Sequence, residues 1–246
     1  MRTLIYTIAQ NGYGTAFLPC IASQRAYAKR IGAEYVSVTK PSRISAPSLS
    51  AWLKVPLLLH ALESGYDWVA YIDADCEVKD DAPDFREVLA GSDKSVFMAH
   101  GRSGRVNSGV MIARRGGGAE QYFTRVLDSL TEKIPAEDRQ QLKYENGNII
   151  YVTKTSDAVE VLPTEWNNSI DPELADYIRH YTGPMRARLK RSLPREVQYR
   201  LIKFVFSRQL SKFTSQPESR DDAFADELRR IEGESVTAFP ALRATR

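Results

Sequence analysis

Cysteine and histidine are scarce in this chain, and long apolar runs are missing. Two cysteines, Cys20 and Cys76, stand in 246 residues, too few for a disulfide framework. Cys76 directly follows Asp75 and reads as a small buried residue, not a nucleophile. The three histidines, His60, His100 and His180, are too few for a histidine-based zinc site but can supply one ligand. No stretch reaches the ~18 apolar residues of a membrane span. The opening Met1-Arg2-Thr3-Leu4-Ile5-Tyr6-Thr7 has no long apolar region and no small-residue cleavage site. It reads as a first strand, not a signal peptide, and a cytoplasmic protein is expected.

What is present is ordinary in bulk and uneven in distribution. Hydrophobic residues make up 43% and charged residues 26%, as in a soluble globular protein. The length suits one large α/β domain, alone or with an appendage. The net charge is +3, yet residues 186–212 carry nine Lys/Arg against one acid, Glu196, leaving −5 for the rest. A mildly acidic body with a basic arm argues for a localised anionic partner and against nucleic-acid binding. Leu189, Leu193, Val197, Leu201, Phe204, Val205 and Phe206 interleave with those charges. The arm reads either as an amphipathic helix on the cytoplasmic face of an anionic membrane or as a helix packed on the main domain.

Strand and helix signals alternate through the first half. Strands are expected at Leu4–Ala9, Tyr35–Val38, Ser95–Ala99, Asn107–Arg114, Ile149–Val152 and Val159–Leu162. Helices are expected over 16–31, over 51–63 capped by Ser50, near Phe85–Leu89, at 119–133 and at Glu137–Lys143. This order gives a three-layer α/β/α sandwich. Composition shifts near 184, and 214–246 is polar and expected to be peripheral. The domain reading is a catalytic domain at 1–185, a basic amphipathic arm at 186–213 and a polar tail at 214–246.

The most informative stretch is Trp68-Val69-Ala70-Tyr71-Ile72-Asp73-Ala74-Asp75. Five largely apolar residues read as a buried parallel strand running into Asp-x-Asp. In open α/β sheets ligands sit beyond the carboxyl ends of strands. Two unpaired carboxylates are costly in a core but are stabilised by a divalent cation, which takes hard oxygen ligands. A cation there can hold a diphosphate.

An ordered set of segments extends this. Asn107-Ser108-Gly109-Val110, Glu145-Asn146, Leu162-Pro163 with Trp166-Asn167, and His180-Tyr181-Thr182-Gly183 follow in turn. Together with Tyr71-Ile72-Asp73-Ala74-Asp75 they make the chain resemble the GT-A nucleotide-sugar glycosyltransferases, most of all retaining families 8 and 34. The resemblance covers about residues 1–186. It implies a Rossmann-like GT-A sandwich with a mixed, mainly parallel sheet and a C-terminal helical extension.

It also implies transfer of a hexose from a UDP-sugar to a glycan or glycolipid, with retention. Mn²⁺ is the implied cofactor, with Mg²⁺ the alternative, and Asp73, Asp75 and His180 are the implied ligands. Ala9, Asn11 and Tyr13 would hold the base, and Lys54, Gly183 and Arg186 the diphosphate side. Asn107 would meet sugar hydroxyls, and Glu145 and Asn146 would orient the sugar beside Asp75. Two positions depart from the family pattern: Asn146 replaces a glutamine and Arg186 a lysine.

Each residue has a bland counterpart. Lys54 could lie on a helix surface, Tyr13 could pack, Asn107 could cap a turn, and Arg186 could belong to the arm. Competing functions are a non-catalytic nucleotide- or glycan-binding protein on the same fold, and a nucleotidyltransferase. Asn11-Gly12-Tyr13-Gly14 lacks the Lys or Arg of a basic nucleotide loop, which argues against the latter.

Overall fold

Trp68–Ile72, buried at every position, lies in the middle of the main sheet. A computed structural model describes residues 1–139, 144–189 and 221–243, with the scattered positions 194, 196–198, 200, 201 and 204. In chain order the strands are β1 (Thr3–Ile8), β2 (Glu34–Val38), β3 (Trp68–Ile72), β4 (Cys76–Val78), β5 (Val96–Ala99), β6 (Val110–Arg114), β7 (Val159–Leu162) and β8 (Ile178–His180). The main sheet runs β2-β1-β3-β6-β5-β7, and β4 with β8 forms a separate ribbon. Pairs β1/β2, β1/β3 and β5/β7 are parallel. β6 runs antiparallel to both β3 and β5. The expected sandwich with a mixed, mainly parallel sheet is therefore the observed fold.

The helices are α1 (Tyr13–Ala16), α2 (Leu18–Arg30), α3 (Pro47–Glu63), α4 (Phe85–Val88), α5 (Ala119–Asp128), α6 (Glu145–Thr153) and α7 (Asp221–Ala238). Strand alternation sorts the two faces. Leu4 and Tyr6 of β1 join the cluster that holds α3, α5, α6 and α7. Ile5, between them, joins Tyr27 of α2 and Phe85 of α4 on the other side. Burying each large apolar side chain is worth about 1.5–3 kcal/mol, so both layers are needed to hold the sheet.

Three expectations change. Ile149–Val152 is not a strand but the second half of α6. A short β-branched apolar run cannot be told from a buried helical segment by its period, and here Gly147, Asn148, Ile149, Ile150 and Val152 are all buried. α3 begins at Pro47, not after Ser50, because proline suits the first helical turn and its missing N–H costs nothing there. The described part of the tail, 221–243, is not peripheral: Phe224, Leu228 and Ile231 of α7 enter the α3-side core. Its polar average hides one apolar stripe.

Residues 140–143 of the expected 137–143 helix, and most of the basic arm, lie outside the described residues. Among described arm positions, Val197, Leu201 and Phe204 are exposed, while Leu189 packs with Phe17, Cys20 and Tyr181. Among the described residues no helix is long and apolar enough to cross a membrane.

Candidate active site

β3 ends at Ile72, and the N–H of the next residue, Asp73, donates to the Gly109 carbonyl at 2.7 Å. The chain then turns, with the Cys76 N–H on the Asp73 carbonyl at 2.9 Å. Gln24 on α2, fully buried, donates to the carbonyls of both Asp73 and Cys76 at 2.8 Å. It sews the turn to the helix. β4 pairs with β8 so that Cys76 is opposite His180, and the Tyr181 N–H donates to the Asp75 carbonyl at 2.9 Å. A residue more than a hundred positions downstream is thereby delivered to the Asp-x-Asp turn.

The result is a tight group. His180 Nε2 lies 3.3 Å from Asp75 Oδ1 and 3.7 Å from Asp73 Oδ2. Arg186, brought back by the 3₁₀ turn Gly183–Arg188, lies 3.4 Å from Asp75 Oδ2 and stacks over Phe17. Gly183 opens that turn at φ 50°, a left-handed conformation that glycine adopts without strain. Gly109 serves differently: a Cβ there would stand 2.4 Å from His180 Cε1, so the imidazole packs directly on bare backbone.

The electrostatics follow the contacts. Burial pushes Asp75 up, but His180 and Arg186 more than offset it, and the net shift is downward. Burial alone would lower His180; the Asp75 carboxylate reverses this and raises it. Asp73 is raised by burial, against the pull of Lys54 and His180. Two acids and an imidazole facing one another form a cation-seeking set.

Asp75, Cys76 and His180 can bring ligand atoms within 4.8 Å of one another. The Cys76 thiol is fully buried, points at the Gly109 carbonyl and is pushed well above its usual pKa by burial. A protonated thiol is a poor ligand, so Asp73 is the better third donor. Two carboxylates and one imidazole fit Mn²⁺ or Mg²⁺ by donor type.

Lys54 is turned inward, into contact with two carboxylates. Its ammonium lies 2.9 Å from Glu145 Oε1, 3.3 Å from Asp73 Oδ1 and 3.3 Å from the Ser108 carbonyl, with a side chain 3% exposed. Position 54 falls on the stripe of α3 that faces the sheet, between the buried Leu53 and Val55. Glu145 also accepts from Ser108 Oγ at 2.6 Å. Burial would raise Glu145, but Lys54 and Ser108 bring it below the usual range. Burial would lower Lys54, but Asp73 and Glu145 raise it, so the pair is ionised. The Tyr71 hydroxyl donates to Asp73 Oδ1 from the same layer.

Neighbouring amides are spent on the frame. Asn146 Oδ1 accepts from the Ser108 N–H at 2.9 Å, which ties α6 to the Asn-Ser-Gly segment. Asn107 Oδ1 accepts from the Gly109 N–H at 3.0 Å and from Asn167 Nδ2 at 2.9 Å. Asn11 clasps the main chain of Ile44 through both ends of its carboxamide.

A cavity of about 550 Å³ opens beyond β1 and β2, lined by Ala9, Asn11, Gly14, Arg25, Ser37 and Thr39. Ala9 and Ile21 of its wall pack on Ala74, the residue between the two aspartates. Cavity and acidic turn therefore share one wall. Tyr13 stands beside it, 38% exposed and packed on Phe17.

Gln24, Tyr71, Ser108, Gly109 and Asn167 join the site beyond the residues the sequence points to. Gln24 carries a faint signal, a polar residue on the apolar stripe of its helix. Tyr71, Ser108, Gly109 and Asn167 lie inside the quoted motifs, where type alone does not separate frame from ligand.

This arrangement is that of a GT-A glycosyltransferase fold: a mixed sheet, an acidic turn at the end of its central strand, and a cavity beside it. No protein-family model and no curated protein matches the chain. Among solved structures it is similar to a glycosyltransferase involved in glycosylation of the major capsid of PBCV-1. That match has a TM-score of 0.60 at 14% identity and covers 76% of this chain and 98% of that one. It is also similar to the glycosyltransferase GlyE of Streptococcus pneumoniae TIGR4, with a TM-score of 0.50 at 15% identity. There it covers 87% of this chain but 64% of GlyE, so it spans less than two thirds of that protein. The chain has the GT-A fold, and these structural neighbours are glycosyltransferases.

Proposed function

We propose that the protein transfers a hexose from a UDP-sugar to a glycan or lipid-linked acceptor, with Mn²⁺ and with retention of anomeric configuration. One observation carries the reading: two carboxylates and an imidazole converge at the end of β3, sharing a wall with a cavity of about 550 Å³. That volume suits a nucleotide-sized ligand.

In this reading Asp73, Asp75 and His180 hold the metal, which supplies Lewis-acid neutralisation of the diphosphate. Arg186, with a side chain 39% exposed, adds a planar cation beside it. Tyr13 offers a ring face to the base, and Ala9 and Gly14 leave room for it. The bond from the anomeric carbon to the phosphate oxygen breaks as the bond to the acceptor oxygen forms. The departing phosphate oxygen takes the acceptor's proton, and uridine diphosphate leaves. Lys54, held by Glu145, acts from beneath, placing its ammonium against the Asp73 carboxylate. Asn146 sets the Asn107–Gly109 segment and acts on the sugar through it.

The test is a panel of UDP-hexoses assayed for released UDP. Release is expected only with divalent metal, Mn²⁺ above Mg²⁺, and Asp75→Ala should lower it at least about 100-fold, the scale of losing a key electrostatic group. Nucleotide binding with no turnover of any donor would favour the non-catalytic reading instead. Pyrophosphate release would favour nucleotidyl transfer.

A further inference from the structure

A chain of hydrogen bonds runs from a main-chain amide to the imidazole of His180. The Gly109 N–H donates to Asn107 Oδ1 at 3.0 Å. A main-chain amide can only donate, so it fixes which end of the Asn107 carboxamide faces it. That oxygen receives Asn167 Nδ2 at 2.9 Å, and the same nitrogen donates to the Asn107 carbonyl at 3.3 Å. With its amino end held by two acceptors, Asn167 must turn its oxygen the other way. That oxygen lies 2.9 Å from His180 Nδ1. An amide oxygen only accepts, so Nδ1 carries the proton.

In the neutral ring Nε2 is then the nitrogen with the lone pair, and it faces the carboxylates of Asp75 and Asp73 at 3.3 and 3.7 Å. A lone pair aimed at two anionic oxygens is repulsive, and the repulsion is relieved either by a second ring proton on Nε2 or by a metal cation between them. The opposite tautomer would require Asn167 to flip. Its oxygen would then face two oxygens of Asn107 in a site where Asn167 is 0% and His180 4% exposed. The imidazole cannot swing away toward Gly109, where no side chain and little space separate ring from backbone.

We propose that Asn167, backed by Asn107 and the Gly109 amide, is a positioning residue that holds His180 in its Nδ1–H tautomer and presents Nε2 to a divalent cation. This rests on the reading of Asp73, Asp75 and His180 as a metal site. It gives Asn107 a role within the frame, in place of a contact with sugar hydroxyls. Partners of this kind on metal-bound histidines typically change metal affinity about 10- to 100-fold when removed.

Two measurements on the full chain test it. The first is long-range ¹H–¹⁵N correlation of the histidine rings in the metal-free wild-type protein, at a pH where His180 is neutral. A protonated Nδ1 and a bare Nε2 are expected; a protonated Nε2 would overturn the relay, and this measurement needs no variant to fold. The second is Mn²⁺ binding in the presence of UDP, followed by electron paramagnetic resonance, for wild type and Asn167→Leu. The variant is expected to bind about 10- to 100-fold more weakly. Wild-type binding with a variant within twofold of it would overturn the positioning role and leave the metal site standing. Failure of the wild type itself to bind Mn²⁺ would overturn the metal reading, whatever the tautomer.

Discussion

Beneath the acidic turn, one lysine ammonium touches two carboxylates with a side chain 3% exposed. Lys54 lies opposite Glu145, itself 4% exposed, and Asp73, so a single positive charge is set against two negative ones. Removing the cation would leave Glu145 charged and uncompensated, which for a buried pair costs about 3–5 kcal/mol. Lys54→Met is therefore expected to lower unfolding free energy by about that much in a denaturant titration. Lys54→Met with Glu145→Gln should recover most of the loss. A single variant within 1 kcal/mol of wild type, by the same scale, would contradict the ion-pair account. Asp73, Asp75 and His180 are legible in the sequence, because acids after a buried strand need a partner. The direction of Lys54 is not. Whether a helical lysine faces solvent or sheet depends on the rotation of α3, set by Leu53, Leu57 and Leu58 packing at once.

At the scale of elements, the β4–β8 ribbon, absent from the expected strands, delivers His180 to the site, and α7, a C-terminal helix as expected, packs into the α3-side core. Ile178–His180 is three residues long, too short for a period to appear, yet its pairing with Cys76–Val78 carries His180 to Asp75. α7 has mixed polarity because only one stripe meets α3. His60 on α3 joins Glu232 on α7 at 2.7 Å, with Glu63 3.8 Å away on its other nitrogen. The Glu232 hydrogen bond raises the His60 pKa above its ordinary 6.5, more than burial lowers it. A raised value means the protonated ring stabilises the fold. That contribution is fully present below pH 6.5 and fades as pH rises through the higher folded value. Denaturation midpoints measured from pH 5.5 to 8.5, a window of about three units around that value, should carry this downward component in wild type and lose it in Glu232→Gln. Identical profiles for the two proteins would contradict the docking role.

At the scale of the whole molecule, the fold class was legible because alternation of strands and helices is a long-range pattern that survives local error. Reading 149–152 as a strand does not disturb it, since the helix that replaces it, α6, takes its place in the layer with α3 and α5. The site was legible as residue types and chain order. It was not legible as a hierarchy: Gln24, Ser108, Asn146 and Asn167 hold the frame, and their side-chain hydrogen-bond partners are 37 to 60 residues away, beyond any local signal, apart from Gln24–Tyr35 at 11 and Asn167–His180 at 13. The acidic turn and the cavity share a wall, and that adjacency joins the metal reading to the nucleotide reading. The most direct test is a crystal structure of the protein with Mn²⁺ and UDP. The account predicts the metal on the Asp73 and Asp75 carboxylates and His180 Nε2, bound to the diphosphate, with uracil in the cavity beside Ala9. Uridine diphosphate elsewhere on the surface, or those three side chains splayed into solvent without metal, would contradict it.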